Sequence, residues 1–332
     1  MRCHGTSVLA LLVGYLACAI VGCSTMSWKS PLGQNHPLTG RIWDVSAARF
    51  IDRETLVERY ARADFILLGE RHDNPDHHML QAEVLRSLIA IGGRPAVGFE
   101  MLGLDDARAV ANYLAGAPTD AAGLGAAVNW NKRGWPDWAM YQPIADAALR
   151  AKLRIVPTNL PLATATKMTR NGLAALEPQM VHELGLDRPP PQSVFEKMAG
   201  DIRDVHCGFA PEEIVKPMVD VQRARDAQMA ESLIAAGDPD GAVLVAGAGH
   251  VRNDYGIPVY LTRNAPKKRV ISIAFVEVDK QKTEPQSYAL PYPDGRLPFD
   301  YIWFTPRVDD EDPCEKFKSQ FERMKKPSEK LL

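Results

Sequence analysis

The chain has 332 residues, 46% of them hydrophobic and 24% charged, which excludes a disordered protein and leaves room for a sizeable core. Its net charge is −2 and it has no sustained Lys/Arg run, so it lacks the basic footprint of a nucleic-acid binder, and no nucleic-acid partner is expected.

Residues 1–22 read as an export signal. A weakly basic start is followed by an apolar run over 8–20, shorter than the roughly 20 apolar residues a spanning helix needs. The run closes on Ile20-Val21-Gly22-Cys23, an aliphatic residue, small residues and then a cysteine, which predicts lipidation at Cys23 and attachment to a membrane. Ser24 follows where Asp would change the sorting, so the expected place is the cell envelope, on the outer membrane of a Gram-negative bacterium. Residues 23–40 are polar and punctuated by Pro and Gly, and read as a tether.

Residues 41–308 read as one domain, with 309–332 as a tail. Residues 63–69 (Ala-Asp-Phe-Ile-Leu-Leu-Gly) are a continuous apolar run, the pattern of a strand buried on both faces. Asp73-Asn74-Pro75 then predicts a helix start, with Asn74 or Asp73 as cap and a stop at Gly92-Gly93. A second strand is predicted over 95–100 and helices over 105–150, broken by an aromatic loop over 129–138. A third strand is predicted over 153–157. Residues 160–236 hold almost no strand signal and read as a helical insertion. Strands are expected again over 241–247, 257–261, 269–276 and 300–305. Strands alternating with helices predict an α/β fold, a central, mostly parallel sheet flanked by helices with a helical insertion subdomain. Cys207 and Cys314 are far apart in sequence, and spacing leaves their pairing open.

The chemistry-bearing residues fall at strand ends. Gly69-Glu70-Arg71-His72 follows the first strand, Phe99-Glu100 ends the second, and Gly249-His250-Val251-Arg252 follows the fourth. Ligands of open α/β sheets bind outside the carboxyl ends of the strands, so Glu70, His72, Glu100, His250 and Arg252 are expected on one rim. His77 and His78 lie in the first turn of the following helix, where the helix dipole disfavours an imidazolium. The face through His77, Gln81, Val84 and Leu88 points inward, with His78 about 100° round from it. The plainer account makes His77 a hydrogen-bonded core residue, His78 a solvated one and Glu100 a cap or ion-pair partner. Neither Gly-x-Ser-x-Gly nor His-Glu-x-x-His is present, which removes two familiar hydrolase routes.

Residues 66–78 (Ile-Leu-Leu-Gly-Glu-Arg-His-Asp-Asn-Pro-Asp-His-His) resemble the opening motif of the ChaN-like haem-uptake lipoproteins, within the wider TIKI superfamily. The likeness continues at 97–101, 135–143, 222–230, 247–258 and 300–305, and covers about residues 50–305. It implies a lipid-anchored haem- or iron-binding protein acting in haem uptake, with an outer-membrane haem receptor and a homodimer as further partners. In that reading Tyr141 and His77 are the axial-ligand candidates, Trp130, Trp135 and Trp138 wall the macrocycle, and Lys132, Arg133 and Arg252 serve the propionates. Packing between insertion and sheet accounts for the tryptophans equally well. Superfamily relatives also imply an alternative, a metal-dependent hydrolase in which His72, Glu100 and His250 hold a divalent metal, or His72 acts as base with Glu70 or Glu100 behind it.

Overall fold

Apolar runs that bury both faces have to be covered on both sides, and here they assemble into one eight-stranded sheet with helices on each face. The computed structural model describes residues 27–318 apart from 119, 238, 290, 291, 293, 294, 313, 316 and 317, so the segment expected to be an export signal, and Cys23, lie outside the described residues. The chain opens with β1 (Ile42–Asp44), β2 (Arg49–Ile51), α1 (Arg53–Tyr60), β3 (Phe65–Glu70) and α2 (Pro75–Ala90). It continues through β4 (Ala96–Gly103), α3 (Ala107–Ala115), α4 (Ala122–Ala127), α5 (Trp138–Arg150) and β5 (Ile155–Asn159). The insertion supplies α6 (Leu162–Asn171), α7 (Pro178–Glu183), α8 (Gln192–Val205) and α9 (Glu212–Ala236). Then come β6 (Ala242–Gly247), α10 (Ile257–Asn264), β7 (Val270–Glu277) and β8 (Tyr301–Thr305).

The strand order is β2-β1-β8-β7-β3-β6-β4-β5. Strands β3 to β8 run parallel, and β1 and β2 form an antiparallel edge hairpin. The chain leaves β3 towards β4 on one side, while β6 returns between those two and leads to β7 on the other. That reversal places a crevice at the carboxyl ends of β3, β6 and β4.

Alternation along the strands decides which helices each rim residue meets. Ile66 and Leu68 belong to the core under α2 and α5, whereas Phe65 and Leu67 belong to the core under α9 and α10. Glu70 continues the first series. In β4, Val97, Phe99 and Met101 face the α2/α5 core, so Glu100 points to the α9 side. The two rim carboxylates therefore lie on opposite faces of the sheet.

Asn74 caps α2 as expected, accepting from the backbone N–H groups of Asp76 and His77 at 2.9 and 3.3 Å. Two expectations need correction. Residues 257–261 are the start of a helix, not a strand, because parallel β6 and β7 require a crossover between them; Ile257, Tyr260 and Leu261 are its buried stripe. Residues 27–40 are not a free tether. The backbone N–H groups of Lys29 and Ser30 donate to the Asp76 carboxylate at 2.8 and 2.9 Å, and Leu38 is buried. The insertion belongs to the same domain: Ala224, Ala227, Ala230 and Leu233 of α9 pack into the core, so that α9 is the β5-to-β6 crossover helix. Cys207, after α8, is disulfide-bonded to Cys314, which follows β8.

Candidate functional site

Glu70 ends β3 fully buried, and it is surrounded by donors from the two helices its face meets. Tyr141 of α5 donates its hydroxyl to Oε1 at 2.8 Å, and Gln81 of α2 donates its amide to Oε2 at 2.7 Å. His78 Nδ1 lies 3.1 Å from Oε2, with its Nε2 bonded to the His72 carbonyl at 2.9 Å. His72 Nδ1 closes the set at 2.8 Å from Oε1. Burial alone would raise the Glu70 pKa, but the His78 and His72 rings overcome it and hold the carboxyl well below the usual range. Burial lowers and Glu70 raises the pKa of His78, and the net direction is up.

Glu100 is built the same way on the other face. The Gly247 backbone N–H donates to Oε2 at 2.6 Å, the Arg225 guanidinium reaches Oε1 at 2.5 Å, and His250 Nε2 stands 3.2 Å from Oε1. His250 Nδ1 in turn bonds Asp226 of α9 at 2.5 Å. Burial opposes ionisation of Glu100, yet His250 and Arg225 hold it well below its usual value. Against the same desolvation, Glu100 and Asp226 push the His250 pKa up to about 9. Burial pushes the Asp226 carboxyl up, with His250 pulling the other way.

His72 joins the two halves. Its Nε2 stands 3.9 Å from Glu100 Oε2, beyond hydrogen-bond distance, and its side chain is 33% exposed while Glu70 and Glu100 are shut in. Burial lowers its pKa, Glu100 and Glu70 raise it, and the net direction is up. A Cβ on Gly247 would stand 2.9 Å from His72 Nε2, so that position has to be glycine or the ring must move. At Gly69 a Cβ would meet Val251 and the Ala248 backbone, which is how the β6 loop comes close enough to share the rim.

The mouth over this network is apolar. A cleft of about 360 Å³ is lined by Met101, Trp135, Leu160, Leu162, Val221 and Arg225 among others. Trp135 stands edge-on to His72, with ring centroids 4.9 Å apart. A neighbouring recess of about 290 Å³ shares Val221 and Arg225 and runs between α8 and α9 past Met198, Ile202 and Met218. Leu162 on the cleft and Val205 on the recess are 64% and 74% exposed.

Glu70, His72, Glu100 and His250 thus meet where the strand-end rule placed them, and His78 joins them buried, not solvated. Three expected ligand roles do not survive the geometry. His77 is fully buried, its Nδ1 accepting from the Arg71 backbone and its Nε2 bonded to the Thr305 hydroxyl at 2.8 Å. Burial drives its pKa down to about 3, so it is a neutral core residue. Tyr141 is fully buried, its hydroxyl committed to Glu70, and burial pushes its pKa far above that of free tyrosine. Arg252 faces away from the rim, forked onto Asp254 at 2.9 and 2.7 Å and lying over Tyr255.

Trp130 and Trp138 are core packing, their rings 4.8 Å apart, and only Trp135 reaches the cleft. Arg133 pairs with Asp106 and also lines the cleft. His72, Glu100 and His250 are held in alternating acid–imidazole pairs, and among the described residues no group of three or more His, Cys, Asp or Glu side chains is arranged to hold a metal ion. Arg225 and Asp226, which complete the Glu100 half, were not singled out from sequence, although they stand on one turn of the segment at 222–226.

A sequence profile described as haem-binding uptake, Tiki superfamily, ChaN matches residues 56–261. Among solved structures, one entitled cofacial heme binding to ChaN of Campylobacter jejuni is similar at 20% identity and a TM-score of 0.61, covering 79% of this chain and 95% of that one. A mutant erythromycin esterase EreC in its open conformation is similar at 15% identity and a TM-score of 0.39, covering 76% and 77%. A search of curated proteins returned no match. The profile spans more than half of the chain, which therefore belongs to this haem-binding uptake family.

Proposed function

We propose that this member of the ChaN family binds haem in the apolar cleft above the Glu70–Glu100 network, with His72 as the axial ligand. The observation that carries the proposal is the His72 imidazole. Glu70 fixes its Nδ1 at 2.8 Å, which leaves Nε2, 3.9 Å from the Glu100 carboxylate that lines the cleft, as the nitrogen offered to a ligand. A carboxylate behind the ring is the arrangement that orients a metal-binding imidazole. Trp135, Leu160, Leu162 and Val221 suit the macrocycle, and Arg133 and Arg225 are the cations that line the cleft for the propionates. The haem iron supplies the coordination site, and this chain supplies one ligand, an apolar wall and counter-charge.

The physiological role proposed with it is haem uptake at the cell envelope, with lipid on Cys23 holding the protein to the outer membrane and an outer-membrane receptor exchanging haem with it. The signal pattern over residues 1–23 supports that part.

The test is a haem titration of residues 24–332 followed by visible absorbance. A saturable Soret shift is expected for the wild type and for Tyr141→Phe, and its loss or displacement for His72→Ala. Retention in His72→Ala with loss in Tyr141→Phe would reverse the ligand assignment.

A further inference from the structure

Helix α8 is held to the rest of the molecule unlike any strand-covering helix. Of its 14 residues only Met198 and Ala199 are buried. They pack with Val215, Val219 and Tyr255 into a small cluster of their own, apart from the two cores that cover the sheet. One flank of α8 lines the 290 Å³ recess that opens onto Arg225 and Gln222. The other flank, through Ser193, Val194 and Lys197, lines a cavity of about 570 Å³. Its polar ties are exposed or at its flanks: Tyr255 donates to Asp201 at 2.6 Å, Arg252 pairs with Asp201 at 3.4 Å, Lys197 stands 3.9 Å from Asp254, and Arg203 donates to Glu212 of α9 at 3.1 Å.

Both ends of α8 are built as joints. Pro189, Pro190 and Pro191 precede it. Cys207 and Gly208 follow it with φ of +55° and +69°, a left-handed pair that turns the chain sharply before α9. At that second joint Cys207 is bonded to Cys314. The segment carrying Cys314 leaves the carboxyl end of β8 and is fastened by Arg71 to Asp309 at 3.4 Å and by Lys280, just after β7, to Asp310. The disulfide therefore ties the distal end of α8 to the same rim that carries His72. Both cysteines are half-buried, within reach of a small reductant.

We propose that α8 is a lid on the recess that adjoins the cleft at Val221 and Arg225, and that the Cys207–Cys314 disulfide is its latch, so that reduction loosens the lid, opens the cleft from that side and speeds ligand exchange. A dithiol reductant supplies the two electrons and two protons. Its thiolate attacks one sulfur, its second thiol resolves the mixed disulfide, and Cys207 and Cys314 end as thiols with the reductant as a disulfide. What remains to hold α8 is the small apolar cluster, with Val194, Phe195 and Ile202 packed against it, and the ties through Asp201, Asp254 and Glu212. The lid rests on the haem reading only for the identity of what it covers.

The experiment is hydrogen–deuterium exchange of the full mature chain, oxidised and after reduction with tris(2-carboxyethyl)phosphine, paired with haem dissociation rates in both forms. Reduction is expected to raise exchange over residues 192–206 about tenfold while β3, β4 and β6 stay protected. Haem dissociation should quicken by a similar factor. Cys207→Ser should reproduce both effects without reductant. Exchange over 192–206 that is unchanged on reduction, or that rises equally throughout the sheet, overturns the latch. If neither form shows a Soret shift but exchange over 192–206 still rises, the latch stands and the haem assignment fails.

Discussion

The two walls of the cleft follow opposite rules. On the sheet side, Glu70 and Glu100 sit buried inside shells of His78, Gln81, Tyr141, Arg225 and His250, every partner within hydrogen-bond distance. On the insertion side, Leu162 and Val205 stand exposed and α8 has only a satellite core. A buried charge is tolerated only where its surroundings answer it, so the first wall cannot move without large cost. Exposed apolar side chains gain by being covered, so the second wall is suited to close on an apolar ligand. Rigid donors and an adaptable wall are complementary requirements of one binding site.

Breaking the rigid wall should have the largest effect. Glu70→Ala strands two imidazoles, an amide and a phenol, and is expected to lower stability by about 3–5 kcal/mol in urea denaturation. A loss below about 1 kcal/mol would mean that the shell rearranges freely and the contrast is false.

The next effect is on pH dependence, where two buried histidines act with opposite signs. The His250 pKa is raised to about 9, so its contribution is complete below its ordinary value near 6.5 and is lost as pH climbs from there to 9. The pKa of His77 is lowered to about 3, so the unfolded chain takes up a proton that the folded one refuses, and stability falls as pH drops from 6.5 towards 3. Each limb should amount to a few kcal/mol. His250→Gln should flatten the alkaline limb and His77→Gln the acid one, and a melt series in which either variant flattens the other's limb would contradict the assignments.

The smallest effect belongs to the adaptable wall. Leu162→Ser removes an exposed apolar lip, so stability should shift by less than about 0.5 kcal/mol while haem affinity drops by about three- to tenfold. An unfolding midpoint that moves while affinity does not would place Leu162 in the scaffold instead.

Much of this was legible before the structure. Strand ends in an open α/β sheet converge, which brought Glu70, His72, Glu100 and His250 together from three separate segments. Which face each carboxylate takes also follows from alternation, once the core side of Ile66 and Leu68 is known. The partners of Glu100 were harder, because Arg225 and Asp226 sit in a helix whose own pattern reads only as insertion. Arg252 was misplaced because the β6 loop turns away within two residues of His250, where Asp254 and Tyr255 take the guanidinium. For His78 the sequence leaves a solvated and a site position both open, because residues on the flank of a helix are buried or not according to neighbours, here Tyr141, whose ring lies 4.2 Å away.

The central claim is that His72 Nε2 takes the haem iron. His72→Gly, titrated with ferric haem in the absence and presence of free imidazole, tests it most directly. The account predicts that the wild-type Soret band is lost in the variant and returns when imidazole fills the vacated place. A variant that keeps the wild-type spectrum without imidazole would contradict it.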